Sequence, residues 1–226
     1  MRFLERFIHR SPLKLSVEEA YARWAANYPP HAHNRLMQLE EEAVMNMLPD
    51  PRGVTALDLA CGSGRYLRHL RERGAARVVG TDLSPAMLTR AQTETARAEL
   101  AQADLLALPL PTSTFHLVVC GLAVGHVREL QQALAEISRV LLPDGVVVYS
   151  DFHPISAANG WTRSFQAADG KTYTIEHHTH FYADHHAACH AAGLVVEDLR
   201  EPRIDFDHPW RGCPAILAVR ARKVTH

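Results

Sequence analysis

An apolar strand that runs directly into a glycine turn and then a helix constrains this chain more than any other feature. The stretch is Leu57-Asp58-Leu59-Ala60-Cys61-Gly62-Ser63-Gly64-Arg65-Tyr66. Gly62 and Gly64 lack Cβ atoms, so the backbone can turn sharply and approach a ligand, while the free amides of the following helix face the same crevice. Such a turn suits a nucleoside-bearing cofactor.

Beyond the turn, strand and helix continue to alternate. ARVVGTD reads as a second strand and Pro85 to Arg97 as a helix, capped by the Ser84 hydroxyl and started by the proline ring. A strand over Ala98 to Ala103, the apolar strand FHLVVCG, a helix from about Arg128 to Leu141 and the strand GVVVYSD come next. Alternating strands and helices of this kind predict βαβ units and a parallel sheet. A helix near Ala183 to Ala192 and the strands LVVEDLR and AILAVRA complete the pattern. Two helical stretches, Val17 to Asn27 and Asn34 to Leu48, precede it and define an N-terminal helical cap over residues 1–50, with the main domain over 51–226. Between Phe152 and His180 the helical rhythm stops. WTRSFQ and KTYTIEHH flank Ala168-Asp169-Gly170, which predicts a β-hairpin inserted on the ligand side of the sheet, a lid spanning 152–182.

Composition narrows the partners. With 226 residues and 47% hydrophobic content the chain can bury one sizeable core. Lys plus Arg (24) balances Asp plus Glu (25), and no basic stripe stands out, so nucleic acid is not expected as a partner. No apolar stretch approaches membrane-spanning length, and no membrane is expected as a partner. Met1 to Arg10 mixes Phe3, Leu4, Phe7 and Ile8 with three arginines and reads as a short helix over the domain rather than a signal peptide. Cys61, Cys120, Cys189 and Cys213 show no CxxC spacing and are expected as reduced thiols in a cytoplasmic protein. Nothing in the chain speaks to its oligomeric state.

The turn itself separates two cofactor classes. The dinucleotide fingerprint GxGxxG needs a third small residue, but counting from Gly62 that place is Leu67, and counting from Ala60 it is Arg65. Asp58 would also set a carboxylate near a pyrophosphate. A cofactor bearing an ammonium and a sulfonium reverses that objection. With Asp58, Gly62 and Gly64 the chain resembles the class I methyltransferases dependent on S-adenosylmethionine (SAM), whose motif is acidic-x-Gly-x-Gly-x-Gly. Ala60 stands in place of the first glycine. The resemblance covers residues 54 to 150 well and the flanking elements more loosely. It implies a Rossmann-like, doubly wound α/β fold with a seven-stranded sheet whose last strand is antiparallel.

Carried over by position, the resemblance implies that Asp58, Ala60, Gly62 and Gly64 hold the methionine end of SAM. Asp82 hydrogen-bonds the ribose hydroxyls, Asp104 accepts from the adenine amine, Leu83 and Leu105 lie against the ring, and Cys120 lies under the cofactor. The segment from Ala20 to Tyr28 is similar to the Tyr-containing helix of the ubiquinone, menaquinone and malonyl-acyl-carrier-protein methyltransferases, which makes Tyr21 and Tyr28 contacts that close over the cofactor or simply pack. S-Adenosylhomocysteine (SAH) is the implied product.

Methyl transfer from a sulfonium is an in-line displacement that mainly requires positioning in a dry site. Residues following the fourth and fifth strands face the acceptor in open α/β sheets, which singles out His126, Asp151 and His153 as catalytic candidates. His126 is a base, a substrate ligand or a packed residue on this reading. Six histidines crowd residues 177 to 190. Glu176, His178 and His180 share a face on an extended strand, and His186 and His190 sit one helical turn apart, so the segment lines an acceptor pocket, chelates a metal or faces solvent. With no HExxH and a family that ordinarily works without metal, none is assigned. The expected acceptor is an O or C atom, less readily N, of a small metabolite or carrier-bound acyl group. An Asn/Asp-Pro-Pro-aromatic motif is absent after the fourth strand, which disfavours protein glutamine and nucleic-acid adenine. A non-catalytic SAM-binding protein and an NAD-dependent oxidoreductase are the rivals.

Overall fold

The computed structural model describes residues 12–95 and 98–224. The helix expected over Met1 to Arg10 lies outside them, as does the end of the helix expected to reach Arg97. In chain order the elements are β1 (Leu13–Leu15), α1 (Val17–Trp24), α2 (Arg35–Met47), β2 (Thr55–Leu59), α3 (Arg65–Glu72), β3 (Arg77–Asp82), α4 (Pro85–Glu94), β4 (Glu99–Gln102), β5 (Phe115–Cys120), α5 (Leu130–Val140), β6 (Leu141–Phe152), α6 (Pro154–Ala158), β7 (Ser164–Gln166), β8 (Thr172–Ile175), α7 (Tyr182–Ala191), β9 (Leu194–Arg200) and β10 (Ile216–Lys223).

The main sheet has seven strands in the order β4-β3-β2-β5-β6-β10-β9. Every neighbouring pair from β4 to β6 is parallel, and β10 runs antiparallel to both β6 and β9. This is the doubly wound arrangement expected, with the last strand of the chain reversed. One face packs on α5 and α7 through residues such as Leu134, Ile137 and Ala188, the other on α2, α3 and α4 through Val44, Leu67, Leu70 and Ala91. Central strands covered on both faces read as unbroken apolar runs, which is why Leu117-Val118-Val119-Cys120 and Val146-Val147-Val148-Tyr149 are buried without alternation.

Helix starts obey local chemistry. The Ser84 hydroxyl accepts from the Met87 amide at 3.4 Å with Pro85 in the first turn, and Asn34 Oδ1 accepts from the Met37 amide at 2.9 Å. Helix α5 begins at Leu130, two residues later than the periodicity suggests, and α6 is a short helix that the sequence pattern does not predict.

The expected hairpin is present as β7 and β8, paired antiparallel with Phe165 opposite Tyr173. It does not stand alone. β1 adds to it in parallel, Leu13 opposite Tyr173 and Leu15 opposite Ile175, giving a separate three-stranded sheet. Leu15, Ala20, Phe165, Tyr173 and Ile175 form its own small core, and Trp24 of α1 stacks on Phe165 with ring centroids 4.8 Å apart.

The N-terminal region is fastened to the main sheet by a buried carboxylate. Glu40 of α2, 0% exposed, accepts from Arg65 Nη2 at 2.6 Å, from the Tyr66 hydroxyl at 2.8 Å and from Ser150 Oγ at 2.6 Å. Three donors from α3 and β6 thus meet one side chain. Removing it leaves the buried Arg65 guanidinium with Glu41 alone and two buried hydroxyls without their acceptor, so Glu40→Ala is expected to lower unfolding free energy by about 3 kcal/mol in denaturant titrations. Glu99→Ala, which breaks the exposed pair with Arg77, is expected to cost under about 1 kcal/mol.

Candidate active site

A cavity opens where the carboxyl ends of β2, β3 and β5 meet α1 and the hairpin. Parallel strands bring their ends to one edge, so the acid that closes each strand faces the same crevice. Asp58, Asp82 and Asp104 all line it.

Each acid is also held by backbone amides. Asp58 Oδ2 accepts from the Leu67 amide at 2.8 Å. Asp82 accepts from the Gly62 amide through Oδ2 at 2.8 Å and from the Ser84 amide through Oδ1 at 2.9 Å, which ties the glycine turn to the next strand's turn. Asp104 Oδ1 accepts from the Leu106 amide at 2.9 Å. Burial pushes the Asp58 carboxyl up to about 8, against the pull of the Leu67 amide and Arg65. Burial also raises Asp82, opposed by the amides of Ser84 and Gly62.

The glycine turn has the geometry its sequence demands. Gly62 and Gly64 take φ of +54° and +86°, and a Cβ at Gly62 would meet no protein atom within 4 Å because it would project into the crevice. Ala60 also sits in the left-handed region, at φ +54°. The position that resembles a family glycine thus keeps the glycine conformation with a methyl group on it, at a cost of about 1 kcal/mol.

Of the residues singled out from sequence, Tyr21, Tyr28, Asp58, Ala60, Gly62, Asp82, Leu83, Asp104, Leu105 and His126 line this one cavity. Gly64 caps α3 behind the turn, and Cys120 is fully buried in the core, its thiol raised by desolvation. Asp151 and His153 do not line the cavity. Asp151 Oδ1 accepts from His177 Nε2 at 3.1 Å and from the Phe152 amide at 2.8 Å. His153 caps α6, its Nδ1 accepting from the Ile155 amide at 3.2 Å, so its Nε2 donates to Glu201 Oε1 at 2.9 Å.

His126 is the middle of a hydrogen-bond chain. Its Nδ1 is 3.1 Å from the Glu176 carbonyl and must donate to it, which leaves Nε2 as the acceptor for the Tyr21 hydroxyl at 3.0 Å. Tyr21 in turn accepts from Arg163 Nη2 at 2.8 Å, and Arg163 Nη1 donates to the Leu122 carbonyl at 2.7 Å. Leu122 carries φ +56°, a strained conformation for a branched residue.

The crowded histidines do not all converge, although the His180 and His185 ring centroids lie 6.0 Å apart. β8 ends at Ile175, so no extended strand aligns Glu176, His178 and His180. His180 Nε2 donates to the Val127 carbonyl at 2.8 Å, His185 Nδ1 lies 3.2 Å from the buried Tyr149 hydroxyl, and His186 and His190 are exposed. Sequence reasoning misses Arg163, Arg65, Tyr66 and Met37, all on the cavity wall. For Arg163 a signal exists: residues 163, 165 and 167 alternate inward along the hairpin, and a cation on the inner face of a strand is unusual.

Comparison with known proteins finds methyltransferases. A methyltransferase-domain family model matches residues 57–149. The malonyl-[acyl-carrier protein] O-methyltransferase of Enterobacter lignolyticus is 37% identical over 137 residues, 61% of this chain and 53% of that protein, so the chain spans about half the length of this curated relative. The protein of the same name from Pectobacterium atrosepticum is 30% identical over 176 residues, 78% of this chain and 67% of that one. A solved S-adenosylmethionine dependent methyltransferase from Mesorhizobium loti superposes with a TM-score of 0.69 at 27% identity, over 81% of this chain and 97% of its own. This chain belongs to the class I SAM-dependent methyltransferases.

Desolvation drives the His126 imidazole well below its ordinary value of 6.5, and a neighbouring Arg163 pushes the same way. The unfolded chain therefore takes up this proton first as pH falls. The stability that neutral His126 contributes is present above about pH 6.5 and declines below it. Nitrogen-detected NMR is expected to find His126 neutral and Nδ1-protonated at pH 5.5; a doubly protonated ring there would contradict the chain of hydrogen bonds.

Proposed function

We propose that this chain transfers the methyl group of SAM to an O or C atom, less readily N, of a small metabolite or carrier-bound acyl group, releasing SAH. The observation that carries the reading is the convergence of Asp58, Asp82 and Asp104 with the Gly62 turn on one cavity. The donor set fits the cofactor. A cationic methionine end suits Asp58 beside the open backbone of Gly62, two ribose hydroxyls suit the remaining lone pairs of Asp82, and an adenine suits Asp104 between Leu83 and Leu105. Bound there, SAM supplies an electrophilic methyl carbon on a sulfonium.

The residues of this chain then bind, orient and exclude water. Tyr21 and Tyr28 close the cavity from the N-terminal side, with Tyr28 against Trp24 at 4.7 Å between ring centroids. The reading divides the chain into a cap over residues 1–50, a methyltransferase domain over 51–226 and a lid over 152–182. The small sheet supports it by joining β1 of the cap to β7 and β8 of the lid. His126 serves as a proton acceptor only if Tyr21 first gives up its bond, so its part here is to orient Tyr21. The relatives named for malonyl-[acyl-carrier protein] support a carrier-bound acyl group as one acceptor type. Among the described residues no helix is long and apolar enough to cross a membrane.

The direct test is transfer of isotopically labelled methyl from SAM into a metabolite extract and a carrier-protein fraction. Label in a small molecule or on a carrier is the expected result, whereas tight SAM binding with no label anywhere would establish a non-catalytic binding protein. The raised Asp58 carboxyl generates a second expectation. Below about pH 8 the group is largely neutral, and a cationic ligand must first ionise it. SAM affinity measured by calorimetry is therefore expected to rise by up to about tenfold per pH unit from pH 6 to 8 and then level, with proton release on binding. In Asp58→Asn that slope is expected to vanish.

A further inference from the structure

The wall of the cavity contributed by the hairpin carries a charge that nothing in the described chain neutralises. Arg163 is 8% exposed and lines the cavity. Its partners are neutral: the Leu122 carbonyl, the Tyr21 hydroxyl and the face of Phe152, 5.0 Å from the guanidinium carbon. Among the described residues no carboxylate lies within ion-pair distance of it. The other arginine on the cavity, Arg65, is paired with both Glu40 and Glu41. Interior charges in proteins are ordinarily paired, because an uncompensated one is costly. Here the cost is accompanied by a second one, the left-handed backbone of Leu122 that turns its carbonyl onto Arg163.

A guanidinium has five N–H donors, and two of those of Arg163 are taken up by Leu122 and Tyr21. The remainder can meet a planar anion side-on. A phosphate would call for several cations or a helix N-terminus around it. The residues joined to Arg163 on this wall, Tyr21, His126 and Leu122, offer neither, and Val17, Met37 and Val127 beside them are apolar.

We propose that Arg163 is a specificity-determining residue that holds a carboxylate of the methyl acceptor, so that the acceptors of this enzyme are carboxylate-bearing molecules. This rests on the methyl-transfer reading of the same cavity. Arg163 leads into β7 of the hairpin and does not come from the strand ends that carry the acids.

The test is a calorimetric titration of butyrate, glutarate and benzoate, each against its amide, into the full chain with and without saturating SAH. At least one acid is expected to bind the native protein at least about tenfold more tightly than its amide. Arg163→Gln is expected to abolish that preference while SAH affinity stays within about twofold. Arg163→Lys keeps the charge but not the fork; it is expected to retain part of the preference, and it covers the case in which Arg163→Gln does not fold. No preference for any acid in the native protein would overturn the proposal, as would inorganic phosphate binding more tightly than every acid. So would a loss of SAH affinity of about tenfold or more in Arg163→Gln, since that would put the guanidinium on the cofactor. Failure of SAH to bind the native protein would instead overturn the methyl-transfer reading, while an acid preference abolished by Arg163→Gln without SAH would leave the anion site standing.

Discussion

Three hydrogen bonds to one carboxylate hold the cavity in register. Glu40 comes from a helix that precedes the sheet, yet it is fully buried and engages Arg65, Tyr66 and Ser150. Burying such a charge is costly unless every lone pair that faces the interior is used, and here Oε1 takes two hydroxyls and Oε2 takes a guanidinium. The consequence is positional. Arg65 and Tyr66 open the helix that succeeds the glycine turn, so fixing them fixes the turn. The same cluster presses on the end of β5, where a Cβ at Gly121 would come within 2.5 Å of the Tyr66 ring. The floor of the cavity is therefore set by α2, α3 and two strands acting through a single side chain.

On that floor, the acids at the strand ends have a double use. Each bonds backbone amides that shape its own turn, and each keeps lone pairs toward the cavity. Asp82 shows the coupling best, because the amide it accepts from belongs to Gly62 in the neighbouring turn. A ligand that draws on Asp82 thereby draws on the glycine turn as well. Raised carboxyls at Asp58 and Asp82 record their burial at this end, while Arg163 carries an unneutralised guanidinium on the same cavity.

Much of this is legible in the sequence where local chemistry decides the outcome. The alternation of strand and helix, the Ser84-Pro85 start and the strand-terminal acids depend on period, capping and topology, which one chain displays. Ten of the residues singled out from it line a single cavity. The illegible parts depend on distant pairing. Three residues as short as Leu13 to Leu15 carry no strand signal until β8 is beside them. His153 sits in the expected place after β6, but the cap it offers to α6 and the nearby Glu201 turn it away from the cavity. The histidines from 177 to 190 do not form one cluster, since the chain leaves β8 at Ile175, although the His180 and His185 rings meet edge to face.

The small sheet has a consequence for the order of folding. Its strands β1 and β8 lie far apart along the chain, with the whole parallel part of the main sheet between them. Closing so long a loop returns only a three-residue ladder, so this pairing gains little until β7 and β8 and the helices beneath them are already in place. Strand β1 is then late to assemble and cheap to undo, and its local opening leaves α2, which Glu40 fastens to the main sheet, in place. The N-terminal side of the cavity, lined by Val17 and Tyr21, can thus loosen by the reverse of that late step.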